Sequence, residues 1–328
     1  MQTLLQSTQA YKIVKTESRE NRLSHAYLLL FDDGRNLRFA LRQFAKILFQ
    51  CDGDLYSADN DSKQRVAKLI DSESFSDCLF YPSDGKKLTV EDAESIREEC
   101  NLAPIEGNLK VFVIGDFAEA NTQTQNKLLK LLEEPPKNVV FLLGATTSFS
   151  VLTTVLSRTK KLEILAFPLD DVTDCLQRIY GEKYDRATLA MCSATSGGNV
   201  GSAQSLLEGG HFKTLLDWAY SLALTSTDKL PSLVKQIGET KHQKELLSAL
   251  RLIFRDGLLI KLQGAKADRN LLLKAEKERS ISVSEAYTKR ALVYAQEAIS
   301  EGEKQVKFNA AFPQCIELCM AKIQRENK

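Results

Sequence analysis

The chain has 328 residues, 43% of them hydrophobic and 27% charged; that balance excludes disorder as the main state, and at roughly 100–200 residues per domain the length corresponds to two or three domains. No apolar run approaches the roughly 20 residues that a bilayer span requires. Lys plus Arg (44) nearly cancels Asp plus Glu (43), so no global positive field draws in nucleic acid, and any such contact must come from a local patch.

Met1–Ala10 lacks the basic segment and the long apolar core of a secretion signal. Ala26–Phe31 (AYLLLF) is a short apolar run of the kind that forms a buried parallel strand. Over Leu37–Phe49, Phe39, Leu41, Phe44, Ala45, Leu48 and Phe49 fall near helical spacing. Gln50–Asp77 is polar, with an Asp/Ser-rich start, and reads as an insertion or an exposed helix with loops. Thr89 can cap a helix over Val90–Cys100, with Asp92 as the acid three residues on.

Leu109–Ile114 (LKVFVI) is the best strand signal in the chain. Asn121 can cap the next helix, in which Gln125, Leu128, Leu129 and Leu132 form one stripe facing a sheet. Pro135–Pro136 ends it, because proline cannot donate to the helix and restricts its predecessor. Asn138–Leu143 (NVVFLL) is another apolar strand, Val151–Leu156 a short helix and Lys161–Ile164 a final strand. This alternation predicts an α/β unit with a parallel sheet covered on both faces. Phe167–Pro168 marks a boundary, followed by helices over Thr173–Tyr180, Arg186–Thr195 and Ser202–Leu207. Gly197–Gly198–Asn199 stops the second of these, Asn199 reading as a helix end and not a ligand. Beyond Gly209–Gly210 the pattern is helical from Phe212 to Ile323, with Leu246, Leu247, Leu250, Ile253, Phe254, Gly257 and Leu258 on one face.

The seven cysteines are Cys51, Cys78, Cys100, Cys175, Cys192, Cys315 and Cys319. No pair has CxxC spacing, and an odd, scattered set reads as buried reduced thiols of a cytosolic protein. Cys315 and Cys319 are four apart on a predicted helix, but no His or second Cys pair lies near enough in sequence to complete a metal site.

A strand followed by a turn and a helix is the setting of a phosphate-binding loop, in which backbone N–H groups hold phosphate and a Lys reaches the terminal phosphates. After Phe31 this chain offers Asp32-Asp33-Gly34-Arg35-Asn36 where the pattern GxxxxGK[ST] would be needed. The Lys and the hydroxyl are missing, and two carboxylates would face a triphosphate at a Coulombic cost. The other Gly-Lys step, Gly85–Lys86, lacks the strand and the upstream Gly. An acidic pair to hold Mg²⁺ is expected after the strand ending at Ile114, but those positions read Gly115–Asp116, and a lone strand-end Asp is as often a cap. Paired cations at Lys86–Lys87, at Lys127 and Lys130, and at Arg158, Lys160 and Lys161 can touch DNA phosphates, though such residues usually sit on a solvated face. His25 reads as a packed, hydrogen-bonded histidine, since no carboxylate and nucleophile accompany it.

The run Asn126–Pro136 (NKLLKLLEEPP), then a strand, then Leu156-Ser157-Arg158-Thr159, is specific. It resembles the clamp-loader ATPases of the AAA+ class, and among them the delta-prime type of bacterial DNA polymerase III. Arg22–Leu28 (RLSHAYL) resembles the family's lead into its first strand, and Leu88–Arg97 and Val111–Ile114 match in order and spacing. The resemblance implies a RecA-like AAA+ domain over residues 1–168, a small three-helix lid over 169–210 and an all-α collar over 211–328 that joins subunits into a ring. It implies a cytoplasmic role in DNA replication, loading the sliding clamp onto primer-template DNA with motor (gamma/tau) and delta subunits as partners. The missing phosphate loop points to the delta-prime type over the motor, and the LEEPP and Ser-Arg patterns point away from delta. The alternatives are an active gamma/tau-like ATPase with a divergent site and a DNA-binding module that works alone.

Within that resemblance, Arg158 is the candidate arginine finger, acting in trans on a neighbour's ATP, and Ser157 its loop support. Arg suits the role because its planar fork is always charged and donates several hydrogen bonds to phosphate oxygens. The bland alternative is a solvated surface Arg. Asp32, Asp33, Gly34, Gly115 and Asp116 mark the degenerate nucleotide site, and no cofactor is expected. Thr146 and Thr147 match the strand-end position that senses nucleotide in active relatives and are read here as structural. Three departures stand out. Cys51 fits the first of the family's four zinc cysteines, but the next is Cys78, so no zinc is expected. The family's Ser-Arg-Cys is Ser157-Arg158-Thr159. The stretch Gly198–Ala203 carries no sensor arginine.

Overall fold

The apolar runs of the first half become strands because every residue of Ala26–Phe31 and Val139–Ala145 is buried, which only a sheet covered on both faces allows. The computed structural model describes residues 1–52, 61–83, 87–308 and 310–328. They divide into two units, Met1–Ala166 and Phe167–Lys328.

Along the first unit the elements are α1 (Gln2–Ser7), α2 (Gln9–Arg19), β1 (Ala26–Phe31), α3 (Gly34–Leu48), α4 (Asp61–Asp71), β2 (Cys78–Tyr81), α5 (Val90–Glu99), β3 (Lys110–Asp116), α6 (Thr122–Glu133), β4 (Val139–Ala145), α7 (Thr153–Leu156) and β5 (Lys160–Ile164). The strands form one sheet in the order β2-β3-β4-β1-β5, and every pairing is parallel. This is the α/β architecture expected of the AAA+ class. Alternate residues of β1, β3 and β4 (Leu28, Phe112, Phe141) pack with Leu128 and Leu132 of α6 and Ile96 of α5. On the opposite face α3 comes close: a Cβ on Gly144 would stand 2.7 Å from a Leu41 methyl, so only glycine allows that approach.

Several expectations need correction. The N-terminal helices α1 and α2 and the short strand β2 were not foreseen. Strand β2 has four residues on a sheet edge with every second one only half buried, so it gives little apolar signal. Gln50–Asp77 contains α4, and residues 53–60 of it lie outside the described residues, as does Gly85–Lys86. Leu129 is only half buried, whereas Gln125 on the same stripe is fully buried. His25 is exposed, and its backbone carbonyl accepts from the Phe141 N–H at 2.8 Å. The Thr89–Asp92 capping box forms with both hydrogen bonds present.

The second unit is helical: α8 (Leu169–Tyr180), α9 (Arg186–Thr195), α10 (Val200–Glu208), α11 (Phe212–Leu224), α12 (Leu230–Ile237), α13 (Gln243–Gln263), α14 (Lys277–Ala286), α15 (Lys289–Lys307) and α16 (Phe312–Glu326). Asn199 turns out to start α10: its side chain accepts from the Ser202 N–H at 2.9 Å, while Gly197 and Gly198, both at positive φ, end α9. Asp256 on α13 is fully buried and accepts from the backbone N–H groups of Leu272 and Leu273 at 3.0 and 2.8 Å. All seven cysteines are free and buried. Among the described residues, no three His, Cys, Asp or Glu side chains gather to hold a metal ion, and no helix is long and apolar enough to cross a membrane.

Asp77, completely buried just before β2, accepts from three successive backbone N–H groups, those of Ile105, Glu106 and Gly107, at 2.6, 2.8 and 3.0 Å. It ties the loop before β3 to the sheet edge. Asp77→Ala is expected to lower stability by about 2–3 kcal/mol, because charge-assisted bonds are lost together; a denaturant midpoint shift at unchanged slope is the measurement.

Candidate functional site

In a parallel α/β sheet, ligands bind beyond the carboxyl ends of the strands, where the strand order reverses. Here that edge is formed by the turn after β1, the end of β3 and the end of β4. The polar groups on it are engaged with one another. Asp33, buried, caps α3, accepting from the Asn36 backbone N–H at 3.1 Å and from its Nδ2 at 2.8 Å. Asp32 beside it is exposed. Asp116 at the end of β3 accepts from the Thr146 N–H at 3.2 Å, the Thr146 hydroxyl at 2.9 Å and the Ala118 N–H at 3.3 Å. The Thr146 methyl lies 3.3 Å from where a Cβ on Gly34 would stand.

Arg38, one turn into α3, was not singled out by sequence. Its Nε donates to Glu73 at 2.7 Å, its Nη2 reaches the same carboxylate, and its Nη1 donates to the Pro82 carbonyl at 2.9 Å. That Nη1 stands 4.0 Å from the position of a Gly115 Cβ. The guanidinium therefore borders the space into which a carboxylate at position 115 would project.

The second feature is the turn after α7. Gln125 on α6 places it: the buried carboxamide donates to the Ser150 carbonyl at 2.9 Å and accepts from the Leu152 N–H at 2.9 Å. Val155 is buried beneath the turn. Ser157 Oγ donates to the Thr154 carbonyl at 3.0 Å. Arg158 Nη1 donates to the same carbonyl at 2.9 Å and to Ser157 Oγ at 3.0 Å, while Nη2 pairs with Glu133 Oε1, at the end of α6, at 2.8 Å. Ser157 is exposed and Arg158 half-buried. The sequence signal for Gln125 was available: it is the one polar member of an otherwise leucine stripe. Glu133 lies within the LEEPP run, but nothing in the sequence paired it with Arg158.

Residues 6–168 match the family model described as DNA polymerase III, delta subunit. The chain belongs to the clamp-loader family of DNA polymerase III subunits. Among relatives, the tau/gamma subunit of Haemophilus influenzae is 27% identical over 193 residues, covering 58% of this chain and 28% of that protein. The delta-prime subunit of Bacillus subtilis is 28% identical over 151 residues, covering 46% of this chain and 45% of that protein. The matched region is thus less than half the length of either relative. Among solved structures, a gamma subunit-related protein of Thermotoga maritima aligns over 96% of this chain and 99% of its own at 16% identity, with a TM-score of 0.41. The Bacillus subtilis clamp loader delta protein aligns over the same shares at 12% identity, with a TM-score of 0.33.

The cations of this clamp-loader subunit's first unit mostly face carboxylates. Lys160 pairs with Glu17, Lys127 with Glu94, Lys87 with Glu119 at 2.7 Å and Lys161 with Glu163 at 3.8 Å. Glu17 also accepts from the Tyr27 hydroxyl at 2.7 Å. Burial opposes its ionisation, but the hydrogen bonds from Lys160 and Tyr27 outweigh burial and hold the carboxyl below its usual range. A carboxyl whose pKa is lowered on folding contributes stability above its unfolded pKa and loses it as pH falls through the folded value. The difference in denaturant midpoint between wild type and Lys160→Met is therefore expected to be largest near neutral pH and to vanish in acid, below the depressed pKa of Glu17. A gap that persists unchanged in acid would contradict the pairing.

Proposed function

We propose that the chain is a non-hydrolysing, delta-prime-type subunit of a DNA polymerase III clamp-loader ring. In this reading residues 1–168 form the AAA+ domain, 169–210 the lid and 211–328 the collar that meets the neighbouring subunits. Motor (gamma/tau) and delta subunits are its partners, and the ring loads the sliding clamp onto primer-template DNA in the cytoplasm. The chain binds no nucleotide of its own and supplies Arg158 to the ATP site of a neighbour.

The observation that carries this reading is the mutual satisfaction of the sheet's carboxyl edge. Magnesium triphosphate needs unpaired backbone donors, a Lys and a free carboxylate. At this edge Asp33 caps α3, Asp116 is engaged by Thr146, and the Thr146 methyl closes over Gly34. Thr146 thus serves the structure, as does Asp116 as a cap. No step of hydrolysis is assigned to these residues. Arg158, by contrast, stands on a braced turn with one guanidinium nitrogen held by neutral acceptors and the other by an exposed carboxylate. A planar cation so held can exchange that carboxylate for phosphate oxygens, and Ser157 keeps the turn in place.

One observation favours a second reading, an active gamma/tau-like ATPase: the Haemophilus tau/gamma relative aligns over more of this chain than the Bacillus delta-prime relative does. Calorimetry of the purified chain with MgATP separates the two. No saturable binding is expected at micromolar nucleotide, and micromolar affinity would establish the second reading. Gly115→Asp is expected to remain unable to bind MgATP, because the new carboxylate would meet the Arg38 guanidinium. In the reconstituted ring, Arg158→Ala is expected to leave assembly intact while lowering DNA-stimulated ATP hydrolysis at least ten-fold, at the scale of roughly 10³–10⁵ that fingers contribute in GTPases or below it. Normal assembly with unchanged hydrolysis would remove the trans role.

A further inference from the structure

Glu133 is the last residue of α6. An acidic side chain there faces the negative end of the helix dipole, which disfavours it. The helix gains nothing from this carboxylate, yet its position is well determined, because Leu128 and Leu132 seat α6 on the sheet and Gln125 staples it to the loop before α7. Its partner is Arg158, at 2.8 Å through Nη2. The other terminal nitrogen, Nη1, is held by the Thr154 carbonyl and Ser157 Oγ, two uncharged acceptors of the turn itself.

The two halves of the guanidinium therefore have different attachments. The Nη1 bonds fix where the arm stands and need not change when it meets a phosphate. The Nη2 bond is an ion pair with a half-exposed carboxylate, the class of interaction that is weak in water and easily exchanged. A phosphate oxygen carries the same sign of charge and accepts the same donor.

We propose that Glu133 is a positioning residue that parks Arg158 on its own subunit and releases it when a phosphate of the adjoining subunit's nucleotide takes the carboxylate's place on Nη2. This rests on the trans-finger reading. Parking keeps a half-buried cation paired until it meets the neighbour's nucleotide, at the cost of competing with that nucleotide afterwards. Removing the competitor frees Arg158 for the phosphate without changing where the turn stands.

The test is steady-state ATP hydrolysis by the ring reconstituted with motor and delta-type subunits of the same source, comparing wild type, Glu133→Gln, Arg158→Ala and the double variant. Glu133→Gln is expected to raise kcat/KM for ATP by up to about five-fold, the range of an exposed ion pair. Arg158→Ala is expected to lower it, and the double variant to match Arg158→Ala alone. A gain is not a result that misfolding produces, and its disappearance without Arg158 ties it to the guanidinium. If Arg158→Ala is impaired but Glu133→Gln equals or falls below wild type, parking is overturned while the finger stands. A gain that survives in the double variant overturns parking too. If Arg158→Ala matches wild type, the finger and its parking fall together.

Discussion

At the carboxyl ends of β3 and β4, Asp116 accepts two hydrogen bonds from Thr146, and this pairing sets the chemistry of the whole edge. Three donors thereby occupy most of the roughly four acceptor positions of that carboxylate. A threonine turned toward it brings its methyl over Gly34, at the turn where a phosphate loop would lie in a nucleotide-binding relative of this topology. The pairing exists because β3 and β4 are adjacent parallel strands whose register, shifted between Ile114 and Asp116, sets Asp116 opposite Gly144 and so within reach of Thr146. Asp33 and Arg38 complete the edge, one capping α3 from below and the other bridging α3 to Glu73 and the end of β2.

The turn bearing Arg158 follows a different logic. Its position is set from α6 by a buried carboxamide, and buried polar groups are retained only when their hydrogen bonds are complete. Gln125 satisfies that demand with the Ala120 and Ser150 carbonyls and the Leu152 N–H, so the loop into α7 cannot shift without leaving these groups unpaired. The same helix carries Glu133 at its end. A single rigid element thus determines both where the turn begins and which anion faces its guanidinium. The carboxyl edge of the sheet is closed on itself, whereas Arg158, just before β5 at the opposite, amino end of the sheet, is held by two neutral acceptors of its own turn and by one exposed carboxylate.

The strands β1, β3 and β4 were legible because strands buried on both faces must be apolar throughout, and AYLLLF, LKVFVI and NVVFLL are. Caps were legible for a similar reason: Thr89, Asn121 and Asp92 act on backbone groups three residues away, so the partners are written in the same short stretch. The edge strand β2 and the helices α1 and α2 were not, since an edge needs only alternate burial over four residues and the amphipathic N-terminal segment has no neighbour in sequence to announce its packing surface. His25 was misjudged for the same reason: burial beside a strand depends on what covers the strand's first residue.

By itself the sequence determined the parallel α/β character of the first half, the helical second half, the absence of a GxxxxGK[ST] loop and the run that carries Ser157 and Arg158. These are local properties, set by periodicity and by residue types within a dozen positions of each other. Only the tertiary structure decided that Asp116 meets Thr146, that Arg38 meets Glu73 and Pro82, and that Glu133 meets Arg158. These partners lie on different elements, and their distances depend on strand order and helix seating, which no local pattern records.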